Sequence, residues 1–117
     1  MSDYNRSRLI AAINEFNRKD FFECHEILED IWFDERGSSR ELYQGLLHIA
    51  VGFYHLTKKN NFKGTMLQLT KAENILEKYP GVVQGIDLSK LLKQIRSIKN
   101  RLKKKEVPMR LPKIILQ

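Results

Sequence analysis

The sequence YQGLLHIAVGFYHL, residues 43–56, decides the fold class because it is the most apolar helical stretch of the chain. When these residues are placed about 100° apart around a helix axis, apolar side chains cover both flanks. A narrow polar stripe remains between the flanks, and it contains Gln44, His48 and His55. A helix that is apolar on two sides must be covered on both. This segment is therefore predicted to lie at the centre of an all-α fold.

Outward from this central helix, the apolar spacing predicts four further helices and no strand, since no segment alternates cleanly between apolar and polar residues. The five predicted helices span residues 3–17, 21–33, 40–59, 62–79 and 88–105, and Pro80 stops the fourth. We predict a single compact bundle over residues 1–106. An extended apolar tail follows over residues 107–117, where two prolines prevent a helix. The apolar end of the tail is expected to fold back over the bundle or to dock on a second subunit, with the first arrangement favoured.

Length and composition restrict the class of protein. A chain of 117 residues that is 42% hydrophobic and 30% charged has room for one globular domain. Cys24 is the single cysteine, which excludes an internal disulfide or a cysteine-rich zinc module. No apolar run reaches the roughly 18 residues of a membrane span, and the N-terminus lacks the pattern of a signal peptide. We therefore expect a soluble cytoplasmic domain with no membrane partner.

The charge is divided unevenly along the chain. Residues 1–50 carry a net charge of −4 and residues 51–117 a net charge of +11, which gives +7 in total. The basic residues of the fifth helix lie on its predicted solvent face, and no nucleic-acid-binding motif accompanies them. Any binding of nucleic acid through this helix is expected to be weak and independent of base sequence, so nucleic acid is not the expected partner.

Residues 21–32, FFECHEILEDIW, carry the first part of a candidate site. His25 and Glu29 are four residues apart, so their side chains are neighbours at the edge of the apolar arc of one helix. Such a pair acts as acid and base or as metal ligands in some proteins, and in others it only satisfies two half-buried groups. The candidate catalytic residues are His25, Glu26 and Glu29. No metal is predicted, because a catalytic zinc usually needs three protein ligands and this helix supplies two.

The polar stripe of the central helix is the second part of this site. If the stripe faces the second helix, a polar cleft forms between the two helices, lined by His25, Glu29, Gln44, His48 and His55. Two aromatic residues, Trp32 and Tyr54, are further candidate binding residues. The alternative is that the stripe faces water and that Trp32 is a packing residue.

Taken together, FFECHEILEDIW and YQGLLHIAVGFYHL resemble the two signature segments of the bacterial and cyanobacterial family called domain of unknown function 309. The first follows that family's aromatic–Glu–x–His–Glu–x–x–Glu–x–x–Trp pattern, and the second its Gln-Gly-[Leu/Ile] stretch that continues into Ala and Tyr-His. The resemblance covers residues 5–79 and places these residues at motif positions: Glu23, His25, Glu26, Glu29, Trp32, Gln44, Gly45, Tyr54 and His55. It implies a small all-α fold in a bacterial protein, and it implies no reaction.

Three functions are compatible with these patterns. The first is a ligand- or protein-binding module that uses the polar cleft. The alternative is a hydrolase-like enzyme in which the His25–Glu29 pair supplies acid and base or metal ligands, and the third is non-specific binding of nucleic acid through the fifth helix. No cofactor is predicted. The expected partner is a small molecule or a protein, and the chain is expected to be a monomer or a homodimer.

Overall fold

Five helices make up most of the chain. The computed structural model describes residues 3–79, 81–108 and 110–117. Its helices are α1 (Asp3–Asn17), α2 (Phe21–Asp34), α3 (Arg40–Lys58), α4 (Phe62–Leu76) and α5 (Leu88–Lys103). The prediction of an all-α fold is confirmed. Within the described ranges, no helix combines the length and the apolar character that crossing a membrane requires.

The fourth helix ends earlier than the apolar spacing predicts. Its last residue is Leu76, and the Tyr79 amide donates a hydrogen bond of 3.1 Å to the Leu76 carbonyl. The Tyr79 hydroxyl donates to the Ser38 carbonyl at 2.8 Å. Tyr79 therefore leaves the helical path to reach the loop before α3. The stop predicted at Pro80 lies outside the described residues.

Helices that follow each other in sequence pack together, and α3 lies between α2 and α4. The Phe21 ring at the start of α2 is 5.5 Å from the Phe53 ring near the end of α3. At the other end of the pair, the Arg40 guanidinium lies 4.3 Å above the Trp32 ring. The helices α2 and α3 are thus antiparallel neighbours, as their short connection predicts. The central position predicted for α3 is also observed.

Two glycines of α3 set its distance from α4. A Cβ atom on Gly45 would lie 2.5 Å from Leu76 Cδ2, and a Cβ atom on Gly52 would lie 3.3 Å from Gln68 Cβ. Between the same helices, the buried Thr65 hydroxyl donates to the Gly52 carbonyl at 3.0 Å. The missing side chains therefore allow the two helices to approach closely.

A small β-hairpin joins α4 to α5, and here the prediction of no strand is wrong. Its strands are β1 (Val82–Val83) and β2 (Ile86–Asp87), which pair antiparallel. Gln84 and Gly85 between them have φ values of 52° and 80°, the left-handed conformation that a tight two-residue turn of this kind needs. Two residues per strand are too few to show an alternating pattern in the sequence.

The C-terminal segment docks on its own chain. Asn17 of α1 holds the backbone of Ile114 with two hydrogen bonds of 2.8 Å, and the Ile114 side chain is 6% exposed. Leu116 forms a β-bridge with Ile86, and the Gln117 amide donates to the Gly85 carbonyl at 2.8 Å. The tail is therefore held both by α1 and by the hairpin.

Candidate functional site

The second helix brings His25 and Glu29 together. Their spacing of four residues puts them on one helix face, and His25 Nε2 lies 3.4 Å from Glu29 Oε2. The His25 side chain is 27% exposed, whereas the Glu29 side chain is 59% exposed. The contact that the spacing predicts is therefore present, with the imidazole half-buried and the carboxylate largely in water.

His25 also lines a pocket between α2 and α3, and we call it the α2–α3 pocket. It has a volume of about 200 Å³, and its lining residues are Phe22, His25, Val51, Tyr54 and His55. The Phe22 ring is 5.7 Å from both the His25 ring and the Tyr54 ring. The His55 Nδ1 atom is buried and has no hydrogen-bond partner among the described residues. The pocket is therefore walled by rings and has a polar group at its edge.

His48 does not belong to this pocket, so the predicted cleft of five residues is wrong in this part. Its Nδ1 atom lies 2.7 Å from Gln68 Oε1 of α4. The cause is the position of Gly45 and Gly52, which border the polar stripe and are the points where α4 packs. Because α4 covers this part of the stripe, His48 faces α4 and not α2.

Gln44 and Trp32 lie away from the pocket as well. Gln44 is eleven residues before His55 on α3, which is about 16 Å along a helix axis. Trp32 contacts Arg40 at the far end of the α2–α3 pair, and its Nε1 atom is buried without a hydrogen-bond partner in the described part of the chain. The candidate binding residues are thus divided: Tyr54 and His55 line the same pocket as His25, whereas Gln44, His48 and Trp32 do not line it.

The remaining candidate on α2 is Glu26, and Cys24 is the other residue of this helix with a side chain that could react. Glu26 is exposed and does not line the pocket. Cys24 is 1% exposed, and burial together with the negative charge of Glu15 raises the pKa of its thiol to about 12. A thiol with such a pKa is protonated at neutral pH, which agrees with a core residue. Among the residues that the structure describes, no three His, Cys, Asp or Glu side chains are grouped so that they could hold a metal ion.

Two pocket residues, Phe22 and Val51, were not among the candidates from the sequence. Phe22 is 48% exposed although it is aromatic and lies in a helix. An aromatic residue on the polar side of a predicted helix was the signal that could have identified it. Val51 gave no such signal, because its position in an apolar helix is also that of an ordinary core residue.

The sequence model of a family described as Domain of unknown function (DUF309) matches residues 9–67, half of the chain. The chain belongs to the DUF309 family. The matched residues include all of α2 and α3, so every residue of the pocket lies in the part of the DUF309 chain that defines the family. The resemblance inferred from the two motifs is confirmed.

A curated relative of this DUF309 chain is "Uncharacterized protein YpuF" of Bacillus subtilis (strain 168). The two are 32% identical over 83 residues, which cover 68% of this chain and 47% of YpuF. This DUF309 chain therefore matches about half the length of that relative.

Proposed function

We propose that this protein is a binding module that takes up an arginine or lysine side chain of a partner protein in the α2–α3 pocket. The observation that supports this function is the arrangement of four rings around one small pocket beside an acidic helix. The rings belong to Phe22, His25, Tyr54 and His55.

The size of the pocket favours a single side chain over a whole small molecule. Pockets for drug-sized ligands have volumes of roughly 300–1,000 Å³. The α2–α3 pocket has about 200 Å³. One long side chain fits this volume, and the rest of the partner would lie across the exposed surface of α2 and α3.

The charge around the pocket favours a cationic side chain. Residues 21–35 contain six Asp or Glu and no Lys or Arg. Glu29 lies beside the pocket through its contact with His25. The neighbouring pocket, behind the rings of Phe22 and Tyr54, is lined by two cations and two carboxylates: Lys19, Lys58, Asp20 and Glu23. The charge beside His25 is therefore negative, whereas the charges of the neighbouring pocket balance.

Each part of an arginine side chain has a counterpart in this arrangement. Its aliphatic stem would contact Val51 and Phe22, and its guanidinium would lie over a ring face, a contact worth about 0.5–1 kcal/mol at an exposed site. The Glu29 carboxylate would accept charge-assisted hydrogen bonds from the guanidinium. Lysine would make the same contacts with a compact charge.

The test is an NMR titration of the protein with a blocked tripeptide that has arginine in the middle. The control ligand has citrulline, which keeps the shape and removes the charge. We expect shift changes that are confined to the residues of the α2–α3 pocket and occur only with arginine. Glu29→Gln should weaken binding by about threefold or more. Asp30→Asn, the same change of charge at an exposed position of α2, should leave binding unchanged. Equal responses to arginine and citrulline would contradict the proposal.

A second candidate function is a hydrolase-like enzyme, and the 3.4 Å contact between His25 Nε2 and Glu29 Oε2 is the observation that favours it. In such an enzyme His25 would transfer a proton and Glu29 would orient its ring. The five residues that line the pocket include no Ser, Thr or Cys, so water would be the nucleophile. Hydrolysis of a panel of nitrophenyl esters that His25→Gln abolishes and Asp30→Asn preserves would favour the enzyme over the binding module.

A further inference from the structure

A groove lies between α5 and the C-terminal segment, far along the chain from the α2–α3 pocket. It consists of two adjoining pockets with volumes of about 170 and 350 Å³, and Gln94 lines both. Leu91 and Ile114 line the first pocket, and Ile98 and Pro108 line the second. The Asn17 side-chain amide donates to the Ile114 carbonyl and accepts from the Ile114 amide, and these two hydrogen bonds fix the segment that forms the outer wall.

The rims of this groove are cationic at both ends. Lys90 and Lys113 line the first pocket, and Arg101 and Arg110 line the second. Lys90 and Arg101 are eleven residues apart on α5, which corresponds to about 16 Å along the helix axis. The groove therefore has an apolar floor and two positive ends at a defined separation.

These four cations are less closely paired with carboxylates than Arg96 and Lys99 of α5 are. Arg96 and Lys99 of α5 pair with Glu73 of α4, where the Lys99 contact is 2.7 Å. Lys90, Arg110 and Lys113 have no carboxylate within 4.0 Å among the described residues, and Arg101 has one at 3.7 Å, from Glu106.

Asp87 is the one acidic side chain among the described residues that line the groove, and it has a structural role. Asp87 Oδ1 accepts a hydrogen bond of 3.1 Å from the Lys90 amide and thus caps α5. The side chains of the lining thus include four cations and one carboxylate.

We propose that this groove binds an acidic, amphipathic segment of a different protein. Such a segment has apolar residues that contact Ile115 and Pro108, the apolar lining residues that remain accessible. It also has two acidic groups about 16 Å apart, the spacing of about eleven residues in a helix. Single-stranded nucleic acid matches less well. Its bases stack on aromatic side chains, and the residues that line the two pockets include none.

The test uses the whole chain and a dye-labelled helical peptide of about 14 residues, with glutamates near both ends and leucines on one face between them. Fluorescence anisotropy is measured in about 150 mM salt, where weak surface attraction is screened. The control ligands are the same peptide with glutamine in place of each glutamate and an oligothymidine of similar length. We expect the acidic peptide to bind at least about tenfold more tightly than either control.

Matched variants locate the binding. Lys90→Gln and Arg110→Gln should each weaken binding of the acidic peptide by about threefold or more. Lys93→Gln removes the same charge from an exposed position of α5 outside the groove, and it should change binding by less than about twofold. Circular dichroism checks that all three variants keep the helical content of the wild type.

Three results would overturn the proposal: equal binding of the glutamine peptide, tighter binding of the oligothymidine, or an equal loss in Lys93→Gln and Lys90→Gln. Self-association that Lys90→Gln abolishes would also overturn it. In that case a second copy of the chain, through its acidic α2, would be the occupant of the groove.

Discussion

Replacement of Gly45 by alanine is expected to destabilise the protein, although alanine is normally the better helix residue. In the interior of a helix, alanine is favoured over glycine by roughly 0.8–1.0 kcal/mol. In this protein the added Cβ would lie 2.5 Å from Leu76 Cδ2 and 2.6 Å from Leu76 Cγ. The Leu76 side chain is 0% exposed, so it cannot turn into solvent to avoid the new methyl group.

The magnitude follows from two opposing effects. Overpacking of a core by a methyl group typically costs about 1–3 kcal/mol, and contacts this short place Gly45→Ala at the upper end of that range. After the gain in helix propensity is subtracted, the free energy of unfolding should fall by about 1–2 kcal/mol. Urea denaturation followed by circular dichroism measures this difference directly, since the slope of the transition should not change.

Gly52→Ala is the matched control on the same helix. Its Cβ would lie 3.3 Å from Gln68 Cβ and from Leu69 Cδ2, so a shift of a few tenths of an ångström relieves the contact. We expect a smaller loss, within about 1 kcal/mol of the wild type. Leu76→Ala should cost less in the Gly45→Ala background than alone, because the new methyl group fills part of the cavity. A Gly45→Ala variant as stable as the wild type would refute the close approach of α3 and α4.

Two further predictions concern the ion pairs between α4 and α5 and the docking of the tail. Hydrogen bonds from Lys99 and then Arg96 lower the pKa of Glu73 below its ordinary value of 4.5. This stabilisation is present above pH 4.5 and is lost as the pH falls through the lowered pKa. Glu73→Gln should therefore lower the free energy of unfolding by about 1 kcal/mol at pH 7 and by less in acid. Urea denaturation at both pH values measures the two differences. If they are equal, the ion pairs are not the cause of the loss. Ile114→Ala should lower stability by about 2 kcal/mol, whereas Ile115→Ala, at a residue that is 70% exposed, should have almost no effect on the melting temperature. Equal effects of the two would mean that the tail does not dock as described.

Much of the helical structure could be predicted because its causes are local. The spacing of apolar residues places α1, α2, α3 and α5 to within two residues of their observed ends, and the contact between His25 and Glu29 follows from helix geometry alone. These features depend on residues that are close in sequence, so no knowledge of the neighbouring helices is needed.

The hairpin before α5 depends instead on contacts that are distant in sequence, because three residues far from Gln84 form hydrogen bonds with it. The Tyr43 hydroxyl donates to its side-chain oxygen at 3.2 Å, and its side-chain amide donates to Ser39 Oγ at 2.6 Å. Arg6 Nη1 donates to its backbone carbonyl at 2.7 Å. Glutamine rarely adopts a positive φ, so these contacts from α1, from α3 and from the residue before α3 help to explain the turn.

Local sequence patterns are enough to predict an all-α protein with α3 at its centre and with His25 beside Glu29. The tertiary structure adds that His55 lines the same pocket as His25, that His48 contacts Gln68, and that Ile114 docks on Asn17. The hydrophobic effect requires that an apolar face be covered, but it has no direction and does not select the covering element. Which helix covers the face depends on which helices can approach closely. In this chain Gly45 and Gly52 allow α4 to pack against α3.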